Sequence, residues 1–215
     1  MNRNIKIVIV PGFSYLSLGS MLEPLQTLKN LYHDLVLDIE LISITDDAIH
    51  SKSGISIRCD TSFQDCLKDL TKTSKTTAVF LCCGLKTPFD MQSSLKKILR
   101  LCDLKNIPIF GVGAAGWKMA DAGILANGTG TVHWTTLAAF RERNQNIDVK
   151  DALFITSERA TSSPGEAATL DMMIDYIKSE FSLEYAERVC DHLMITYTRN
   201  GDLEQPKSTA QRLRD

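Results

Sequence analysis

Short apolar runs alternate with longer amphipathic stretches along this chain. Ile5 to Val10 is apolar but for Lys6 and stops at Pro11-Gly12, the pattern of a parallel strand buried on both faces. In "SLGSMLEPLQTLKNLYHDL" the residues Met21, Leu22, Leu25, Leu28 and Leu31 recur at helical spacing behind Gly19-Ser20. Leu35 to Ile44 reads as a second strand, and Ile55 and Ile57 in a turn-rich segment suggest a hairpin before a helix near Phe63 to Leu70. Thr77 to Cys83 and Ile107 to Val112 are further buried strands, separated by an amphipathic helix over Asp90 to Cys102. A helix from about Ala115 to Ala122, another in "HWTTLAAFRER", a strand over Ala152 to Thr156 and a long helix over Gly165 to Glu180 follow. A last helix, Leu183 to Thr196, leads into the polar stretch "TRNGDLEQPKSTAQRLRD".

Strands alternating with amphipathic helices predict an α/β fold: a three-layer sandwich with a mostly parallel sheet and helices on both faces. Ligands of such sheets bind at the carboxyl ends of the strands. Those ends are Pro11 to Ser20, Cys83 to Lys86, Gly113 to Trp117 and Thr156 to Gly165, and they should converge on one pocket.

The 215 residues suit one α/β domain with a short tail, and 44% hydrophobic content is enough for a core. A net charge of −2 gives no footprint for nucleic acid on this chain itself. No apolar stretch approaches the ~20 residues of a membrane span, and the chain is read as cytoplasmic. Six scattered cysteines without a CxxC pair call for no metal, and nothing calls for a cofactor.

The densest chemical signal is "FGVGAAGWKMADAGIL", residues 110 to 125. A strand, a turn of small residues and a helix form the layout of a nucleophile elbow. The turn Gly113-Ala114-Ala115-Gly116 holds no Ser, Cys or Thr. Tight strand–helix packing accounts for the same small residues.

"GAAGWKMADAGILANGTGTVHW" resembles the elbow, helix and following His-Trp of PfpI-like domains in the class I glutamine amidotransferase-like superfamily. With "LEPLQTLKNL" (22–31) and "SSPGEAATLDMMIDYI" (162–177), the chain resembles the N-terminal sensing domain of AraC-family regulators of the GlxA type. The resemblance implies a flavodoxin-like sensing domain over 1–199. Residues 200–215 would be a linker toward a helix-turn-helix domain that alone contacts DNA. It also implies no membrane, a small-molecule effector and a homodimer, with the apolar stripe of the last helix as one candidate contact.

The resemblance places the catalytic cysteine of PfpI-like enzymes at Ala114, with His133 at the expected spacing and Ser20 where some relatives carry Asp. A methyl group cannot open acyl chemistry, so no catalytic residue is expected. The dead elbow can still hold an anion through N–H groups at Ala114 and Ala115, at Gly84-Leu85, and at the helix start near Gly165-Glu166. Trp117 and Trp134 could flank a quaternary ammonium, or pack in the core and at a subunit contact. Glu23 could be turned inward by Pro24, or stay exposed in a first helical turn. Ser163 reads first as a helix cap and second as a ligand donor. The effector expected is an amino acid, a betaine or a carnitine-like metabolite. The competing reading is a hydrolase or lyase using Cys83 or His133.

Overall fold

The computed structural model describes residues 2–45, 48–72, 75–84, 92–126, 128–157 and 159–207. In chain order its first half holds β1 (Asn2–Ile9), α1 (Tyr15–Leu31), β2 (Val36–Ser43), β3 (Ile49–His50), β4 (Ser56–Ile57), β5 (Thr61–Ser62), α2 (Phe63–Thr71) and β6 (Thr76–Cys83). The second half holds α3 (Gln92–Leu104), β7 (Ile109–Gly113), α4 (Ala115–Ala122), β8 (Thr129–Gly130), α5 (Trp134–Arg143), β9 (Asp148–Val149), β10 (Ile155–Thr156), β11 (Ala160–Ser163), α6 (Ala168–Glu180) and α7 (Leu183–His192).

Seven strands form the main sheet in the order β10-β11-β7-β6-β1-β2-β5. All its pairings are parallel except β10 with β11. The expected α/β sandwich is therefore the fold. Side-chain alternation divides the core between the two faces. Val8 of β1 and Val10 just after it, with Val79 and Leu81 of β6, join residues of α2 to α5 such as Leu70, Leu99, Met119 and Phe140. Ile5, Ile7 and Ile9, with Phe80 and Cys82, join Met21, Leu25 and Leu28 of α1, Met173 and Ile177 of α6, and Val189 of α7. Lys6 interrupts the apolar run, and its buried ammonium is paired with Glu40 and, at 3.0 Å, with Asp69.

Register decides where a ligand can sit. Ile9 lies opposite Cys82, Cys83 opposite Gly113, and Val112 opposite Ser163. Four neighbouring parallel strands thus end level, and the loops that leave them meet above one edge.

Four local readings are revised by the structure. α1 starts at Tyr15, not near Gly19, because the Ser14 hydroxyl caps the N–H of Ser17. β11, with the sequence ATSS, is a fully buried central strand that carries no apolar run. α6 begins at Ala168 because Gly165 and Glu166 both have positive φ, at 94° and 53°. α7 ends at His192, two residues before Met194 turns left-handed with φ 57°. Beyond α7 the chain returns to the domain: Leu153 and Phe154 donate their N–H groups to the carbonyls of Leu203 and Gly201, at 3.0 and 3.1 Å.

Candidate functional site

A cavity of about 400 Å³ opens where the level strand ends diverge, lined by Gly12, Ser14, Ser17, Lys52, Cys83, Gly84, Gly113, His133, Pro164, Gly165 and Glu166. Its floor is main chain. A Cβ on Gly84 would lie 1.9 Å from the Gly12 carbonyl oxygen, and one on Gly113 would lie 2.2 Å from that of Cys83. Only glycine lets these loops approach so closely. At these two positions the cavity wall is therefore bare backbone.

The elbow has the expected layout but a different corner. The left-handed residue is Gly113, with φ 71°, and it lines the cavity. Ala114 has φ −74° and ψ −1°, is 4% exposed and packs into the core under α4. Its N–H is already donated to the Cys83 carbonyl at 3.1 Å, and Ala115 is wholly buried. The strained turn that would present an attacking atom thus falls one residue before Ala114, on a glycine. Neither alanine lines the cavity, so the expected anion donors are not at these two positions.

The charges sit on the opposite rim. Glu166 accepts from the Ser14 hydroxyl at 2.6 Å and from the Lys52 ammonium, while its own N–H is donated to the Ser17 hydroxyl at 2.7 Å. Partial burial works to raise its pKa, but the bonds from Lys52 and Ser14 prevail and hold the carboxyl below its ordinary value. Lys52 comes from the loop between β3 and β4, which is tied down because its N–H donates to the Phe13 carbonyl and the N–H of Gly12 to that of His50. Three distant segments therefore meet in one clasp.

His133 is half-buried on the same cavity. Its Nδ1 caps α5 by accepting from the N–H of Thr135, and lies 2.8 Å from the Thr135 hydroxyl. Burial lowers its pKa, and Lys52 lowers it further against the opposing pull of Glu166, so the ring is neutral near pH 7. A second, smaller cavity of about 200 Å³ shares His133, Pro164, Gly165 and Glu166 with the first. Trp134, Leu153, Arg199, Gln205 and Pro206 are among the residues that close it.

The other candidates scatter. Gly84 and Gly165 line the main cavity, and Trp134 the second. Ser20 is buried one turn beyond Ser17, which with Ser14 lines the site while Ser20 does not. Glu23 is exposed, because the helix carries its buried face through Ser20, Met21, Pro24 and Leu25, and the proline turns no carboxylate inward. Trp117 stacks edge-on against Phe140 with Arg143 over its ring, so no two-tryptophan cage exists here. Ser163 is fully buried at the end of β11, donating to the Leu153 carbonyl and accepting from the N–H of Gly165, so it braces the turn that follows and caps no helix. Leu85 lies outside the described residues.

Cys83 lines the cavity but is only 4% exposed, and burial pushes its thiol up to about 12. A thiol that stays protonated is a poor nucleophile. Among the described residues, no group of three His, Cys, Asp or Glu could hold a metal ion, and no helix is long and apolar enough to cross a membrane. The sequence reading singled out none of Ser14, Ser17 and Lys52, and took Glu166 only as a backbone donor at a helix start. The available signal for the Glu166 side chain was its place, a charged residue directly after Pro164-Gly165 at a strand end.

Comparison with known proteins places these features in context. The model of the DJ-1/PfpI family matches residues 5–179. The HTH-type transcriptional regulator CdhR of Pseudomonas aeruginosa is 24% identical over 214 residues, covering 99% of this chain and 59% of the regulator. The HTH-type transcriptional regulator GlxA of Rhizobium meliloti is 26% identical over 212 residues, covering 98% of this chain and 63% of the regulator. The chain thus spans about three fifths of the length of these relatives. An AraC family transcriptional regulator from Pseudomonas putida superposes with a TM-score of 0.77 at 19% identity, over 89% of this chain and 99% of that structure. Drosophila melanogaster DJ-1beta does so with a TM-score of 0.74 at 14% identity, over 92% of this chain and 100% of that one.

Proposed function

The chain belongs to the DJ-1/PfpI family, and from that premise we propose that it is the non-catalytic sensing domain of an AraC-family transcriptional regulator. Its relatives include transcriptional regulators of the HTH type. In this reading residues 1–199 sense a small molecule, and the following stretch leads toward a helix-turn-helix domain that contacts DNA. The protein works in the cytoplasm as a homodimer, which sets the spacing of two DNA-binding heads.

One observation carries the reading: the corner of the elbow is Gly113, which places bare backbone where an enzyme needs a reactive atom. A glycine floor can receive a ligand closely but cannot attack it. The rim supplies recognition instead. The Lys52 ammonium suits a carboxylate, and the Glu166 carboxylate suits a cationic group. That pair favours a compact zwitterion, hence an amino acid, a betaine or a carnitine-like metabolite. Hydrolase or lyase chemistry through Cys83 or His133 gains no support, since the thiol is held protonated and Nδ1 of the imidazole is engaged as a helix cap.

A thermal-shift screen against the amino acids, glycine betaine and carnitine tests this. A ligand at 100 times its dissociation constant should add about 2.7 kcal/mol of stability. Loss of that shift in Lys52→Met and Glu166→Gln is the expected companion result. Turnover of any compound in the screen at ordinary enzymatic rates would end the reading.

A further inference from the structure

The stretch after α7 does not leave the domain directly. Residues 199–207 lie along it as a strap. Arg199 grips Asp171 through Nε at 3.0 Å and Nη2 at 2.6 Å, and its N–H donates to the same carboxylate at 2.8 Å. Gly201 fits under Phe154, where a Cβ would meet the ring at 2.7 Å. Lys207 pairs with Asp151 at 2.8 Å.

The deepest anchor is Gln205, which is 4% exposed although it belongs to a polar segment. Its amide nitrogen donates to the Val132 carbonyl at 2.9 Å and to the Thr131 hydroxyl at 3.3 Å, and its amide oxygen accepts the Trp134 N–H at 2.8 Å. The first N–H groups of a helix lack partners within it, so Gln205 supplies from the strap what α5 lacks. Between Val132 and Trp134 stands His133, whose ring lines the main cavity. One tripeptide therefore holds the strap by its backbone and faces the ligand space by its side chain.

We propose that occupancy of the sensing cavity sets how firmly residues 199–207 are docked, with segment 131–134 as the link. This rests on the sensing reading above and extends it to the regulation of the same site. A ligand shifts such an equilibrium only through contacts that differ between the two states. The second cavity provides them, because Arg199, Gln205 and Pro206 form part of its wall only while the strap is docked. A ligand that crosses the shared wall at His133 and Glu166 touches the docked state alone. Occupancy tightens the strap, and loosening the strap weakens the ligand by the same factor.

The readout is amide exchange at Leu153 and Phe154, whose N–H groups are donated to strap carbonyls, together with tryptic cleavage after Arg199. Gln205→Ala should speed both at least tenfold. Should that variant fail to fold, Lys207→Met should speed them about twofold. Saturating glycine betaine, carnitine or whichever amino acid shifts the melting temperature should slow both at least fivefold in the wild type. A compound that binds yet leaves both rates unchanged overturns the coupling while the sensing reading stands. If no compound binds, Lys52→Met decides, since Lys52 lines the main cavity alone. A threefold change at Leu153 and Phe154 then supports the coupling without the proposed effectors, and no change overturns it. Gln205→Ala or Lys207→Met exchanging like wild type would overturn it as well.

Discussion

Two strand-to-helix turns leave neighbouring parallel strands at the same end of the sheet, and they treat strain in opposite ways. Between β7 and α4 the left-handed residue is Gly113, and the next N–H, that of Ala114, is spent on the Cys83 carbonyl. Between β11 and α6 the left-handed conformation extends from Gly165 to Glu166, a residue for which it costs roughly 1–2 kcal/mol. The first turn carries no side chain into the cavity. The second holds a strained carboxylate there, fixed by Ser14, Ser17 and Lys52. Backbone strain of this kind persists only where its surroundings enforce it. The comparison teaches that the charged side chain in this cavity stands on the adjacent turn and not on the elbow.

The sharpest way to break this comparison is to load the empty turn. Gly113→Cys combines a left-handed side chain, roughly 1–2 kcal/mol, with a forced shift against the Cys83 carbonyl, roughly 1–3 kcal/mol. Together these predict a loss of about 2–5 kcal/mol, read as a melting temperature lower by roughly 5–15 °C. Ala114→Cys, one residue on, should be far milder and should label slowly with iodoacetamide, because the new thiol faces the core. Rapid labelling at position 114 would put the corner where the sequence resemblance placed it.

Gln205→Ala comes next, since it strands the Trp134 N–H and the Val132 carbonyl; unsatisfied buried groups of this kind cost about 1–3 kcal/mol. Denaturant unfolding measures it. Glu166→Gly is expected to separate stability from binding. Relief of backbone strain offsets the lost clasp, so unfolding stability should stay within about 1 kcal/mol of wild type. Affinity for an effector should nonetheless fall at least tenfold. Equal affinity in this variant would remove Glu166 from recognition.

The smallest effect concerns pH. The His133 pKa is lowered in the folded state from its ordinary 6.5, so below about that pH the unfolded chain binds the extra proton. Stability should therefore rise with pH through the range just below 6.5 and flatten above it. His133→Asn should remove that part of the slope. The Glu166 carboxyl is shifted down as well, and its contribution is present above its ordinary 4.5 and lost as the pH falls further. A slope near pH 6 that survives His133→Asn would assign it to another group.

Much of the fold was legible because burial leaves a periodic trace. β1, β6 and β7 announce themselves as apolar runs, and α4 was placed to the residue by its small-residue start. β11 left no such trace: Ala160, Thr161, Ser162 and Ser163 look like loop, yet all are buried and paired to β7. Hydroxyls can be buried there because they find partners, as Ser162 does with the N–H of Thr131. The site was less legible still. Gly84 and Gly165 lie on the expected strand ends, whereas His133 and Trp134 follow from the family resemblance. The side-chain roles of Ser14, Ser17, Lys52 and Glu166 were not legible, although Ser14 and Ser17 lie on an expected strand end, since their meeting depends on three segments far apart in sequence.

Taken alone, the sequence determined which segments must be buried, and hence an α/β sheet with its loops gathered at one end. It also determined that no thiol or hydroxyl lies in the turn after β7. Only the tertiary structure decided that the corner of that turn is Gly113, that the charged residues converge on Glu166, and that Gln205 docks the strap beneath α5. The reason is physical: periodicity records whether a residue is buried against something, but not what. Backbone dihedrals and hydrogen bonds between distant loops depend on how strands align in register, and register is a property of the assembled sheet.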